Sequence, residues 1–393
     1  MTVRTLLSSA LFAFSCIAAD LRVELSAARL VSEAPEGERR WGRWQFPTLE
    51  AGPGGRLLLF IHVEQDAAAS YGKKRLVYVS SDRGRSWRED PSGAANRPYG
   101  LALPNGEWLR TDTVAATPAS SVTLPPKLAE RVSYQTPFQL YRLMEMPPSL
   151  RQIFFQRFRQ GAWQSEQQEL RDEEALRYST GGLVPQIWWG DMKRRPDGSI
   201  VALTYPYYHA SQLPVPFTSA ASYRSDDNGR SWTKVGHILY NEADRRRDGF
   251  TEPALEILPD GSLLAVLRTT DGHGLGPLYR SRSDDGGKIW SAPEAFTDTG
   301  VLPRLLQLKN GILVLSSGRP GVDLRVSSDG GRSWTEPRRL VPVLDPSRPQ
   351  ADSCGYTSLL PLGKDRFLIT YSWFTPPSGR KSIYVREVRA RHQ

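Results

Sequence analysis

An all-β, six-bladed β-propeller of four-stranded antiparallel blades is the fold this sequence predicts, and two interleaved repeats carry the prediction. The first repeat is Ser-x-Asp-x-Gly-x-x-Trp. It reads SSDRGRSW at 80–87, SDDNGRSW at 225–232, SDDGGKIW at 283–290 and SSDGGRSW at 327–334. The second is a Gly turn followed by an apolar strand: GPGGRLLLF at 52–60, LPNGEWL at 103–109, RPDGSIVAL at 195–203, LPDGSLLAVL at 258–267 and LKNGILVL at 308–315, with a degenerate copy, LGKDRFLIT, at 362–370. The markers Gly55, Gly106, Gly198, Gly261, Gly311 and Asp365 are separated by 51, 92, 63, 50 and 54 residues. A period near 50 is that of a propeller or array, and six markers give six blades. The composition agrees: 33 Gly, 30 Pro and 39 Trp, Tyr and Phe residues in 393 describe many short strands and turns.

The first repeat reads as one tight turn. Its Gly supplies positive φ, its Asp accepts hydrogen bonds from turn amides without ladder partners, and its Trp covers the turn as the next strand begins. One Asp is far too few oxygen ligands for a calcium loop. The Asp-Gly and Asn-Gly turns of the second repeat are hairpin signals. In blades one, three, four and five the Gly turn joins the first two strands and the Ser-x-Asp box joins the last two.

In chain order, Arg4 precedes an apolar run over 6–19 that ends in small residues. It reads as a signal peptide over 1–19, so the chain is expected to be exported, secreted or periplasmic, with lipid anchoring through Cys16 as a minor alternative. The propeller domain is then 20–393. Without Cys16 the chain keeps only Cys354 and forms no internal disulfide. No later stretch is apolar enough to span a membrane. Blade two lacks a box, with 158–163 as a remnant, and carries extra sequence at about 111–151. That insertion holds either a short helix from Pro126 or an excursion over one face. Residues 21–25 are placed to add a strand beside 381–388 and close the ring. The formal charge of +9 is spread among acidic residues, so no nucleic-acid stripe is evident, and the oligomeric state is unspecified.

Up-and-down blades gather the starts of first strands and the ends of second strands on one rim, opposite the boxes. The starts offer Gln45, Phe46 and Pro47 in blade one, Gly190 and Asp191 in blade three, and Thr251, Glu252 and Pro253 in blade four. Blade five offers Pro303 and Arg304, and blade six Gly355 and Tyr356. The ends offer His62, Tyr205, Arg268 and Arg319. Trp188 and Trp189 are either core or a sugar platform. The plain alternatives at the rim are a buried aromatic for Tyr356 and a surface ion pair between Glu252 and Arg268.

The boxes and these rim segments resemble the sialidase superfamily, exo-α-sialidases with six-bladed propellers and repeated Asp boxes. The resemblance covers the chain from about Trp41 onward. Residues 251–255 running to Arg268 are similar to the family's stretch with its catalytic Glu and one Arg of its carboxylate-binding triad. Residues 355–359 are similar to the stretch with its nucleophilic Tyr. The resemblance implies Tyr356 as nucleophile, Glu252 as its base and Asp66 as general acid. It also implies Arg268 and Arg319 as carboxylate binders; rim position adds Arg304, Gln45 and Asp191 as further substrate contacts. It implies no cofactor and no metal.

A neutral phenol suits a sugar whose anomeric carbon already bears a carboxylate, because a carboxylate nucleophile would be repelled. Sialidases, with their Tyr nucleophile, are for this reason an exception to the two-carboxylate scheme of most glycosidases. A guanidinium pairs with a carboxylate bidentately and stays charged. One departure stands out: the family has an Arg two residues before the blade-one Pro, and here that residue is Gln45. Arg43 and Arg304 are the candidates to replace it. The expected function is removal of a terminal sialic acid or related acidic sugar from an acidic glycan, with retention. The alternatives are a non-catalytic glycan- or protein-binding propeller, and a propeller hydrolase or lyase acting on another anionic polysaccharide.

Overall fold

The computed structural model describes residues 21–92, 94, 97–133, 136–241, 247–270 and 275–393. The signal segment over 1–19 and Cys16 lie outside the described residues. Among the described residues no helix is long and apolar enough to cross a membrane.

The strands form an all-β propeller of antiparallel blades. Blade one is Gln45–Ala51, Leu57–His62, Leu76–Ser80 and Arg88–Glu89. Blade two is Leu101–Ala102, Trp108–Thr111, Gln152–Arg159 and Ala162–Glu169. Blade four is Thr251–Ile257, Leu263–Arg268, Leu278–Ser283 and Glu294–Ala295. Blade five is Val301–Gln307, Leu313–Gly318, Val322–Ser327 and Arg338–Val341.

The last blade closes the ring with both ends of the propeller. Thr357–Pro361, Arg366–Thr375 and Arg380–His392 come from the C-terminal part. Leu21–Leu25 pairs with Arg380–His392 from Leu21 opposite His392 to Leu25 opposite Val388. A second strand, Arg29–Glu33, continues along the same partner from Val385 to Ser382. The sequence pattern announces the first of these strands and not the second.

Two expectations need correction. Five sheets stand as self-contained blades of four or five strands; the sixth is a nine-stranded composite and not a four-stranded blade. The strands Trp189–Arg194, Ile200–His209, Ser219–Ser225 and Thr233–Ile238 occupy the blade-three position. Ile200–His209 runs past a bulge between Thr204 and Tyr207, and its far end pairs with Ala175–Thr180. The insertion then adds Thr136–Arg142 and Ala129–Ser133 to that strand. The segment after Pro126 is thus no helix: it leads into a hairpin whose backbone bonds are completed by an existing sheet edge.

The core lies between blades. Leu49, Leu59 and Ile61 of blade one pack on Leu368, Ile383 and Val385 of the last blade. Ala254, Leu264 and Val266 of blade four pack on Leu305, Leu313 and Leu315 of blade five. Alternating strand residues point to opposite faces, so each blade offers one apolar face to each neighbour.

All four boxes form the expected turn. In the last, Asp329 Oδ1 accepts from Arg332 N and Ser333 N, both at 2.9 Å, and Oδ2 accepts from Ser333 Oγ at 2.6 Å. The box glycines also lock neighbouring blades. A Cβ on Gly84 would lie 2.6 Å from Leu368 Cδ1, and one on Gly331 2.9 Å from Leu264 Cδ2. Arginines of the preceding blade donate to box carbonyls: Arg280 to Gly331 at 2.9 Å, and Arg157 to Asn228 at 3.0 Å. Arg157, fully buried in boxless blade two, is also paired with Glu166 at 2.8 Å and Glu107 at 3.1 Å.

Burial alone would raise the Asp329 pKa. The hydrogen bonds from Ser333, Ser327 and Arg332 outweigh it and hold the carboxylate below its usual range. A depressed carboxylate contributes stability above its unfolded pKa and loses it as pH falls through the folded value. Asp329→Ala is therefore expected to cost about 1–3 kcal/mol at neutral pH. That difference from the wild type shrinks below about pH 4. Turnover per folded molecule should stay near the wild-type value, because the box lies on the face opposite the rim. Denaturant melts at several pH values check the first expectation; a large activity loss without a stability loss would count against the geography.

Candidate active site

The inner strands of blades one, four and five each begin with the same distortion. The register slips between Gln45 and Thr48, between Thr251 and Ala254, and between Val301 and Arg304. Each slip contains a residue with positive φ directly before a Pro: Phe46 at +53°, Glu252 at +47° and Leu302 at +38°. Left-handed backbone at such residues costs about 1–3 kcal/mol and persists only where surrounding structure fixes it. The bulge turns one side chain out of the alternation and frees one amide from the ladder.

At Glu252 both effects are used. Its carboxylate is 5% exposed, and its oxygens take donors from three blades. Arg268 Nη1 of blade four donates to Oε1 at 2.6 Å. The Leu302 amide, freed by the blade-five bulge, donates to Oε2 at 2.8 Å. The Tyr356 hydroxyl donates to Oε1 from the segment that enters the last blade. The ion pair with Arg268 that the sequence allowed is present, but buried on both sides, not on the surface. Burial first, and the Glu252 carboxylate second, hold the Tyr356 phenol well above its ordinary value of 10.

Arg319, 5% exposed, joins this group with φ +53°. Its Nε donates to the Cys354 carbonyl at 3.0 Å, which ties it to the loop before Tyr356. Its guanidinium lies 5.6 Å from the Tyr356 ring centre and 5.0 Å from that of Trp41. Neither of its terminal nitrogens has a hydrogen-bond acceptor among the described residues. Phe46 packs 4.6 Å from the Tyr356 ring. Trp41 stands 6.0 Å from Phe46, and its Nε1 donates to exposed Asp66 at 3.1 Å. The Asp66 charge is near enough to oppose ionisation of Tyr356.

The remaining candidates are placed elsewhere. Gln45 is fully buried; its Oε1 accepts from Gly42 N at 2.6 Å, and its Nε2 has no partner among the described residues. It shapes the loop that carries Trp41. His62 Nδ1 holds the same loop through the Gly42 carbonyl at 3.0 Å. Arg43 faces Glu64 at 3.7 Å and Glu38 at 3.9 Å, so it does not stand in for the missing arginine. Asp191 accepts from Leu255 N at 3.2 Å and faces Lys193 at 3.9 Å, stitching blade four to the composite sheet. Arg304 follows the Pro of its bulge, level with Thr48 and Ala254, and its charge is felt at Glu50 and Lys193. Trp188 is core, 5.0 Å from Trp232. Trp189 is half-buried, between Tyr71 at 5.1 Å and Tyr205 at 5.8 Å.

Sequence reading misses Trp41 and the Leu302 amide, and offers Phe46 as a rim residue without a role. The signal is the recurring residue-before-Pro at 46, 252 and 302. Aligning blades on that Pro, rather than on the Gly turns, places Leu302 and not Arg304 beside Glu252.

A BNR repeat-like domain model matches residues 162–360, half of the chain. Comparison with curated proteins gives no match. Among solved structures, a protein of unknown function from Dyadobacter fermentans superposes with a TM-score of 0.59 at 18% identity, over 94% of this chain and 99% of that one. An α-L-arabinanase of Penicillium chrysogenum gives 0.52 at 17%, over 92% and 98%. A sialidase of Streptococcus pneumoniae gives 0.50 at 12%, over 92% and 70%. At these identities the likeness is one of fold. With the repeat model and the four boxes in agreement, the chain belongs to the BNR repeat-like family.

Proposed function

We propose that this protein is an exported glycoside hydrolase, a single propeller domain over 20–393, that removes a terminal acidic sugar by a retaining mechanism. The observation that carries the reading is the Tyr356–Glu252–Arg268 chain, a phenol hydrogen-bonded to a buried, charge-paired carboxylate at the rim. In this reading Tyr356 Oη attacks the anomeric carbon while Glu252 takes its proton, and Asp66 delivers a proton to the leaving oxygen. Water then attacks the tyrosyl intermediate with Asp66 as base, and Glu252 returns the proton to the phenolate. Arg319, with open terminal nitrogens, pairs with the substrate carboxylate. Arg268 is held by Glu252 and acts chiefly as a positioning residue.

A second reading is favoured by Gln45 and Trp41. With Gln45 buried and Trp41 lying over Arg319, the site has fewer open cations than a carboxylate-binding triad requires. It would then take a neutral terminal sugar in the same place. A panel of α-linked reporters, acidic and neutral, separates the two; binding without turnover of any would leave a non-catalytic propeller.

Tyr356→Phe is expected to lower kcat by several orders of magnitude while changing stability by about 1 kcal/mol or less. A stability loss with little rate change would make Tyr356 structural. Glu252→Gln should collapse the rate similarly and also destabilise by about 3–5 kcal/mol, because Arg268 would keep its buried charge without an ionised partner. Because the phenol is held well above pH 10, phenolate does not accumulate as pH rises. The rate should therefore not climb between about pH 8 and pH 9; a steady rise there would mean that free phenolate, not the Glu252-coupled phenol, is the attacking species. A 3-fluoro sugar analogue followed by peptide mapping should label Tyr356, and label elsewhere would sink the tyrosyl intermediate.

A further inference from the structure

Apart from the Glu252 cluster, three guanidinium groups lie within electrostatic reach of Glu50. Arg75, Arg110 and Arg304 all act on its charge. None of the three has a hydrogen-bond acceptor or ion-pair partner among the described residues, and Arg110 Nε is buried. Two of them are fixed by aromatic faces. Arg75 lies 4.5 Å from the Phe60 ring centre, Phe60 is 4.7 Å from Tyr99, and Arg110 is held between Tyr99 at 4.7 Å and Trp163 at 4.6 Å. Stacking occupies the face of a guanidinium and leaves its edge, where the N–H groups point, open to an acceptor.

Blade two is short on its inner side. The inner strand of blade two is only Leu101–Ala102, whereas those of blades one, four and five have seven residues each. The wall of the central channel is therefore thin at blade two, and Arg110, one strand further out, comes within electrostatic reach of Glu50 and Arg75. The nearby carboxylates are already occupied. Asp191 serves Leu255 N and Lys193, Glu256 accepts from Lys193 at 3.3 Å and Gln307 N at 3.1 Å, and Asp112 accepts from Gln156 Nε2 at 2.7 Å.

We propose that Arg75, Arg110 and Arg304 form an oxyanion-binding subsite at the channel wall, separate from the Glu252–Tyr356 site, that takes the carboxylate or sulfate of an acidic glycan residue. Guanidinium edges match both groups bidentately. Three neighbouring cations raise the local concentration of anions and are relieved by one. Glu50 is the internal competitor. Burial pushes its carboxyl up to about 7, against the pull of the three arginines and with Asp191 adding to the rise. Protonated, it leaves the cations to the ligand and can donate a hydrogen bond; ionised, it takes the ligand's place. Anion affinity is thus full at acid pH and falls as pH rises through about 7. Lys193, the other nearby cation, stays committed to Asp191 and Glu256.

The test is calorimetric titration of the full chain with sodium sulfate, trigalacturonate and, as a neutral control, maltotriose. None of these need be cleaved, so the outcome is independent of the chemistry assigned to Tyr356. We expect one or both anions to bind at pH 6, about tenfold more weakly at pH 8, and maltotriose not to show that pH dependence. The tighter anion identifies the ligand as sulfate or uronate. Arg75→Gln combined with Arg110→Gln should weaken binding at pH 6 by about tenfold or more. Should that double variant fail to fold, Glu50→Gln decides: it should bind at pH 8 as tightly as the wild type does at pH 6. No binding of either anion at pH 6, binding that survives the double variant, or a pH dependence unchanged by Glu50→Gln would each overturn the proposal.

Discussion

The site depends on a single carboxylate placed where the backbone resists. Glu252 is held at positive φ by a bulge, and its two oxygens gather Arg268, the Leu302 amide and the Tyr356 hydroxyl from three successive sheets. No one blade could assemble this group. Its geometry is a statement about how blades four and five and the last blade stand relative to one another, so a shift between them is felt at the phenol. The box turns on the other face supply that registry. They pin Gly331 against Leu264 and receive Arg280 from the neighbouring blade, fixing the spacing over which the carboxylate must reach. The strain at Glu252 persists because Arg268, the Leu302 amide and Tyr356 together hold its carboxylate.

Much of this is legible from repeats. The boxes specify their own turns, since Ser, Asp and Gly act within five residues and need no tertiary context. Glu252 and Tyr356 can be paired because propeller topology converts equivalent blade positions into one rim. What escapes the sequence is long-range in origin. The composite sheet arises because Ile200–His209 outruns its blade and meets Ala175–Thr180, and nothing local near Pro126 announces that partner. Position alone makes Gln45 a substrate contact, but its burial comes from the loop folded over it. Counting from the turn instead of from the bulge misplaces Arg304, an offset that a one-residue irregularity is enough to create.

The same bulge produces different results in different blades. At Phe46 it presents an apolar ring to Tyr356; at Leu302 it presents a backbone amide to Glu252; at Glu252 it presents the carboxylate. The scaffold thus offers equivalent places around a rim, and the residue types decide which is chemical and which is a wall. Trp41 adds a roof that touches Phe46, Arg319 and Asp66 together, coupling the cation, the acid and the aromatic wall through one indole.

The closure of the ring has a consequence for the order in which the chain can mature. Glu24 and Arg391 are 367 residues apart and are joined only through the last sheet. The early strands must wait for a strand made more than 340 residues later. Until Arg380–His392 leaves the ribosome, the early segment has no partner in its own sheet, and the apolar faces of the first and last blades remain uncovered. Blade-by-blade collapse can proceed during synthesis, but the ring cannot close before Arg380–His392 is available. For a chain exported as proposed, such lateness is an advantage: the early blades cross before the element that locks the molecule has joined them.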